Sequence, residues 1–220
     1  MTSAPTPQIR KRPGVSRKQI IWLVVILVAL VALSRGVKVV GIDSAAAANP
    51  KAFSAAEFGA SEFPKVVEGI KKRAVPATTL ADALKANVAD ATTKYGIAEP
   101  GGLGPEFCVS FTGVVGTGTS GVYDVKVEGV PSSLVIRVQT GPAINGTDLR
   151  DATGTISFGQ FTNQIDYQNA GSALNDQLKQ QVLANVDTTN FKGKTISVVG
   201  AFQLINPNGW LVTPVELTVQ

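Results

Sequence analysis

FCVSFT at 107–112, YDVKVE at 123–128 and LVIRVQ at 134–139 carry the same pattern. Phe107, Val109 and Phe111 alternate with Cys108, Ser110 and Thr112. Tyr123, Val125 and Val127 alternate with Asp124, Lys126 and Glu128. Leu134, Ile136 and Val138 alternate with Val135, Arg137 and Gln139. A period of two places one apolar face on each segment. Gly116–Gly121 and Gly129-Val-Pro131 supply the turns, so the three segments read as consecutive antiparallel strands.

Downstream, a polar stretch runs from Gly141 to Asp166. Ala170, Leu174, Leu178, Val182 and Val186 then recur at four-residue spacing, which predicts an amphipathic helix. Ile196 to Leu204 is a fourth strand, Asn206-Pro-Asn-Gly209 a hairpin turn, and Trp210 to Val219 a fifth strand. Pro214 places that last strand at an edge or a bulge. Three meander strands, a helix and a hairpin form the element order of the OB-fold, a five-stranded Greek-key barrel. The expectation is a mainly β chain with α, in which residues 106–220 make an OB-like five-stranded antiparallel barrel. The helix between strands three and four would close its bottom. An open α+β sheet uses the same elements, and order alone does not close a barrel.

Residues 43–105 read as a linker and a helical extension. Ser54-Ala-Ala-Glu57 has capping-box spacing, and Phe58, Phe63, Val66, Val67 and Ile70 give the following helix a stripe. Pro64 implies a kink or a restart near Ser61. Thr79-Leu-Ala-Asp82 opens a second helix carrying Leu80, Leu84, Val88 and Ala91, which ends at Gly96. Glu99 to Pro105 is dense in Gly and Pro and marks a boundary.

The N-terminal part has a different composition. Residues 1–18 form a basic tail, expected to be disordered and cytoplasmic. Arg10, Lys11, Arg12, Arg17 and Lys18 precede an apolar run from Ile20 to Leu33. As a helix that run spans about 21 Å, short of the roughly 30 Å hydrocarbon core. Continued through Ile42, with Arg35 and Lys38 snorkelling, residues 19–42 make a transmembrane anchor. A cleaved signal peptide is the other reading, with Ala45–Ala48 as its site, but that site lies far from Leu33. The cation excess puts the N-terminus in the cytoplasm and the folded part on the extracytoplasmic side of a single-pass anchor.

The formal charge is +4, with 20 Lys and Arg against 16 Asp and Glu. Without the five tail cations, 15 remain against 16, about −1. The folded part therefore has no cation excess to neutralise phosphates, which disfavours nucleic acid as a partner. With no histidine anywhere, Ser-His-Asp and Cys-His constellations are excluded. Cys108 sits in a strand without an adjacent cation and reads as a packing residue. Asp148, Asp151 and Asp166 lack the spacing of a calcium loop. Gly113-Val-Val-Gly116-Thr-Gly118 reads as a hairpin with a bulge, since it precedes no helix and lacks a Gly-Lys-Ser/Thr ending. We expect no catalytic residues, no metal and no cofactor.

The candidate site is the Gly141–Tyr167 block, with Asn145, Thr147, Arg150, Asp151, Phe158, Phe161, Asn163, Gln164 and Tyr167. Aromatics beside amide and guanidinium donors can recognise a sugar, a carboxylate or a partner's backbone, with Arg150 as the anchor. The same residues can instead satisfy buried backbone in a long connection, with Arg150 paired to Asp148 or Asp151.

On Gly146-Thr-Asp-Leu-Arg-Asp-Ala152, Ile156-Ser-Phe158, Phe161-Thr-Asn-Gln-Ile-Asp-Tyr167 and Leu174-Asn175, the chain resembles the predicted periplasmic lipoprotein family known as domain of unknown function 2291. The resemblance covers most of the chain from Lys38 onward. It implies an envelope protein with an OB-like barrel and an association with sugar-type ABC transporters. It brings no catalytic residues. The chain departs from the lipoprotein pattern because no cysteine follows the apolar run. The resulting expectation is a non-enzymatic, membrane-anchored extracytoplasmic binding or accessory protein. Its partners would be the inner membrane and either transporter subunits or a sugar-like ligand. The alternative is an OB-fold module for nucleic acid or oligosaccharide.

Overall fold

The computed structural model describes residues 52–98, 103–188 and 190–220. The tail and the anchor expected over 1–42 lie outside the described residues, as does most of the 43–51 linker. Among the described residues no helix is long and apolar enough to cross a membrane.

Helix α1 (Ala55–Arg73) opens as its sequence dictates, with the Ser54 hydroxyl accepting from the Glu57 amide. The restart expected at Ser61 is not observed; one helix runs through Pro64. Pro64 and Ala60 both face solvent. The carbonyl that Pro64 cannot satisfy is therefore free to take water. Strand β1 (Val75–Pro76) follows, then α2 (Ala77–Ala86) and α3 (Val88–Tyr95). The single second helix of the sequence reading is two. Asn87 between them is extended, and its side chain accepts from the Ala89 and Asp90 amides. An internal cap thus competes successfully with helix continuation. Strand β2 (Gly96–Ile97) ends the extension.

The barrel strands are β3 (Glu106–Thr119), β4 (Val122–Val127), β5 (Val135–Gln139), β6 (Thr195–Gln203) and β7 (Gly209–Val219). Pairing runs β3–β4, β4–β5, β5–β7, β7–β6 and back from β6 to β3, so the ring closes. The open-sheet alternative is thereby eliminated. The expectation of an all-antiparallel barrel is corrected, because β5 and β7 pair in parallel. The reason is parity: strand direction can alternate around a closed ring only if the strand number is even, so five strands need a parallel pair.

Two bulges shape the ring. One lies on β3 between Val115 and Gly118, inside the glycine-rich segment. The other lies where Val199 pairs with Glu216 and Gly200 with Pro214, the position that Pro214 marks. The turn expected over Gly116–Gly121 shrinks to Ser120 and Gly121. Both have positive φ (54° and 78°), the backbone a two-residue hairpin requires.

Among the described residues there are two apolar clusters. The barrel interior holds Phe107, Val109, Phe111, Ile136, Val138, Phe202, Trp210 and Val212, and is joined by Leu80, Ala81 and Leu84 of α2. The second packs Phe63, Val66 and Ile70 of α1 against Cys108, Ala201 and Val215 on the other face of β3, β6 and β7. It is completed by α5 (Gln164–Gln181), through Tyr167, Leu174 and Leu178, and by Leu149, Ala152, Ile156 and Leu183 on either side of that helix in the chain. The single apolar face expected for the first strand is thus corrected: Cys108 and its neighbours are buried on both sides. The role expected of the helix between strands three and four is corrected too. The body of α5 lies in the second cluster, and only Val182 and Val186, just beyond its end, pack against the interior. A small-residue contact brings α5 close to α1, where a Cβ on Gly59 would come within 2.9 Å of the Ala173 carbonyl oxygen.

Candidate functional site

The connection from β5 to α5 carries the sequence-selected block. It contains one helical turn, α4 (Asp148–Asp151), and a 3-10 turn at Phe158–Gln160. All four α4 residues are buried, although three of them are charged. Burial of that kind requires internal partners.

Arg150 has them. Its Nε and Nη2 donate to the two Asp151 carboxylate oxygens at 2.6 and 2.9 Å, a bidentate pair. Its Nη1 donates to the Tyr167 carbonyl at 3.2 Å. The guanidinium carbon lies 3.6 Å from the centre of the Tyr167 ring. Asp151 also accepts from the Thr147 and Tyr167 hydroxyls, at 2.6 and 3.3 Å. Four sequence-selected residues, Thr147, Arg150, Asp151 and Tyr167, thus form one buried polar cluster that locks α4 to the start of α5. Arg150 is 7% exposed. Its expected role as anchor of a recognition surface is corrected: the guanidinium is spent inside the fold.

Asp148 faces the barrel. It accepts from Thr213, whose hydroxyl accepts in turn from Gln139. The Gln139 side chain also brackets Asn145, receiving its amide N–H and donating to its carbonyl, both at 3.0 Å. Burial, opposed by the Thr213 bond and aided by the nearby Asp151 charge, pushes the Asp148 carboxyl up to about 6.

The other selected residues lie outside this cluster. Phe158 and Phe161 pack on Tyr167 with ring centres 5.7 and 5.3 Å apart. Phe158 remains 50% exposed. Asn163 is exposed and caps α5, accepting from the Asp166 amide. Gln164 and the Asn145 side chain face solvent. Among the described residues, no group of three or more acidic or cysteine side chains is placed to hold a metal.

Sequence reasoning passed over a second surface. Where the β3 bulge bends away, two open grooves share Thr117 and Gly118. One, of about 380 Å³, adds Tyr123, Asn190 and Lys192. The other, of about 280 Å³, adds Asp124 and Arg137. Asp124 and Arg137 are register partners on β4 and β5, yet form no ion pair. Arg137 is exposed and makes no hydrogen bond among the described residues. Gly118 lies so flat against the Tyr123 ring that a Cβ there would be 2.2 Å from it. The available signal was strand parity: Arg137 occupies an outward position on β5, whereas the arginine selected from the sequence, Arg150, is interior.

Closed five-stranded topology with β5 parallel to β7 defines an OB-fold protein. A crystal structure of an OB-fold protein from Thermotoga maritima superimposes with a TM-score of 0.64 at 18% identity, covering 77% of this chain and 100% of that one. No curated protein matches the sequence. The family model described as "Predicted periplasmic lipoprotein (DUF2291)" matches residues 26–218, and the chain belongs to that family. An extracytoplasmic, membrane-anchored location accords with the family description. The sole cysteine of the 220 residues, Cys108, is 2% exposed within β3 and so is not placed to carry a lipid.

Proposed function

We propose that the protein is a non-enzymatic binding module, tethered to the outer face of the inner membrane by residues 19–42. It serves solute uptake through a sugar-type ABC transporter. The observation that carries the binding role is the pair of grooves on β3, β4 and β5. OB-folds bind through the face of their second and third strands and the loops beside it, and here those strands are β4 and β5. The outward face of β4 and β5 offers a free guanidinium at Arg137 and a carboxylate at Asp124, while Tyr123, on the opposite side of β4, lines the neighbouring groove. That donor and acceptor pair suits the hydroxyls of a carbohydrate-type ligand. The tether rests on the apolar run Ile20–Leu33 and on the absence of a cysteine suited to lipidation. The transporter association rests on the family resemblance.

The test is affinity isolation of the full-length protein from detergent-solubilised membranes of its native host, comparing wild type with Arg137→Glu and with Gln164→Ala. Recovery of transporter subunits with wild type and Gln164→Ala, and their loss with Arg137→Glu, is the expected result. No subunits with wild type would refute the transporter association. Equal recovery with all three would refute the face.

A further inference from the structure

The aromatic residues around Tyr167 continue into an exposed patch. Phe53 packs on Phe161 at 5.4 Å and Phe58 packs on Phe161 at 5.5 Å between ring centres. Phe158, which packs on Tyr167, is 50% exposed, and Ile165, four residues past Phe161 in the first turn of α5, is 68% exposed. From Ala152 to Ile165 the chain carries no charged residue, although most of that loop faces solvent. Its polar groups are amides and hydroxyls, such as Gln160, Thr162 and Asn163. Large apolar side chains set mainly among uncharged polar ones, with Glu57 and Asp166 the charges adjoining them in sequence, suit the boundary between headgroups and acyl chains.

The position of the patch in the chain names its occupant. Phe53 belongs to the patch and is among the first residues of the folded unit. Ten residues, 43–52, separate it from the end of the anchor. Fully extended they reach about 35 Å, whereas a domain of this size is roughly 40 Å across. On the tethered reading the chain passes from tether to domain at Phe53, within this patch. We infer that the patch formed by Phe53, Phe158, Phe161 and Ile165 rests on the lipid bilayer and fixes the domain's orientation there. This rests on the tethered reading, and leaves the β4–β5 face to the soluble ligand.

The full-length chain is reconstituted in phosphatidylcholine vesicles with a nitroxide on Ile165→Cys or, as a control, on Lys192→Cys. Cys108 does not compete for label, being 2% exposed with its thiol pushed up to about 11 by burial. The label at 165 should be relaxed more by lipid-soluble oxygen than by an aqueous nickel chelate, and the label at 192 the reverse. Adding Phe158→Asp should turn the 165 label to the aqueous pattern while the protein still floats with vesicles. An aqueous pattern at 165 in a floating wild-type chain would overturn the inference and spare the tether. Protection from both reagents would overturn it in favour of a second copy covering the patch. A chain that does not float would overturn tether and patch together.

Discussion

Replacing Asp148 with Asn should change how stability depends on pH, and the size of the change follows from the structure. The carboxyl has a folded value of about 6 against an ordinary value of 3.8. The native state therefore holds the proton more tightly than the unfolded chain. For a raised group the stabilising contribution is complete below the unfolded value and is lost as pH rises through the folded one. A difference of about 2.2 units at 1.36 kcal/mol each is about 3 kcal/mol, lost between roughly pH 4 and pH 7. Asparagine cannot ionise, yet keeps an oxygen for the Thr213 hydroxyl. Wild type should thus lose about 3 kcal/mol relative to Asp148→Asn over that window. The slopes of carboxylates that do not act on Asp148 cancel in the difference, Asp151 being the one that does act on it. Urea unfolding of the full-length protein at half-unit steps from pH 4 to pH 8 measures it. Fluorescence of fully buried Trp210 can follow the transition, with Trp22→Phe leaving it the lone tryptophan. A difference that stays flat across the window, or that moves in favour of wild type as pH rises, would refute the upward shift that burial gives Asp148.

Arg150→Ala should cost roughly 3–5 kcal/mol, because it strands Asp151 in the interior. That corresponds to a fall of about 10 °C in Tm for a domain of this size. Arg150→Lys should not rescue it, since an ammonium restores neither the fork nor the stack on Tyr167. Two glycines with positive φ should respond differently to alanine. At Gly121 the added carbon would lie 1.4 Å from the Gly141 carbonyl oxygen, so Gly121→Ala should not reach the native hairpin. At Gly193 nothing lies within 4 Å, so only the left-handed backbone is penalised, at about 1–2 kcal/mol. Urea midpoints of the two variants separate these cases. Single-stranded DNA should not saturate a chain that starts at Pro50, without the basic tail, below about 100 μM at physiological salt. From Ala52 to Gln220 there are 12 cations against 15 anions, a net charge of −3, and a fluorescence anisotropy titration checks the point.

The barrel was legible because each strand pattern reports a local property. Alternation at Tyr123–Glu128 or Leu134–Gln139 requires only that one face be buried, and the Asn-Gly and Gly-Val-Pro turns delimit the strands whatever their partners. What the alternation cannot report is a second layer. Cys108 and Ala201 occupy positions that would face solvent in a bare barrel. They are buried because α1 and α5 dock there, which nothing local to β3 or β6 encodes. The break at Asn87 is local but was masked by periodicity. Leu84, Val88 and Ala91 keep helical spacing across it, and the asparagine cap outweighs that spacing, leaving Val88 43% exposed.

The block around Arg150 shows why a site is harder to read than a strand. Charge, aromatic and amide composition is the same whether a cluster faces a partner or faces inward, so composition alone does not decide between them. What decides is counting donors against acceptors within reach. One arginine meets a carboxylate one residue on and an aromatic ring seventeen residues on, and a threonine hydroxyl meets the same carboxylate. A set that closes on itself in this way stabilises a connection and has little left to offer a ligand. Arg137 presents the opposite case. Its register partner Asp124 sits across the strand without pairing to it, accepting instead from the Thr117 hydroxyl, so the exposed guanidinium of Arg137 remains available. In this fold the arginine that is costly to bury holds the chain together. The arginine left exposed on the second and third barrel strands is the one in a position to recognise something else.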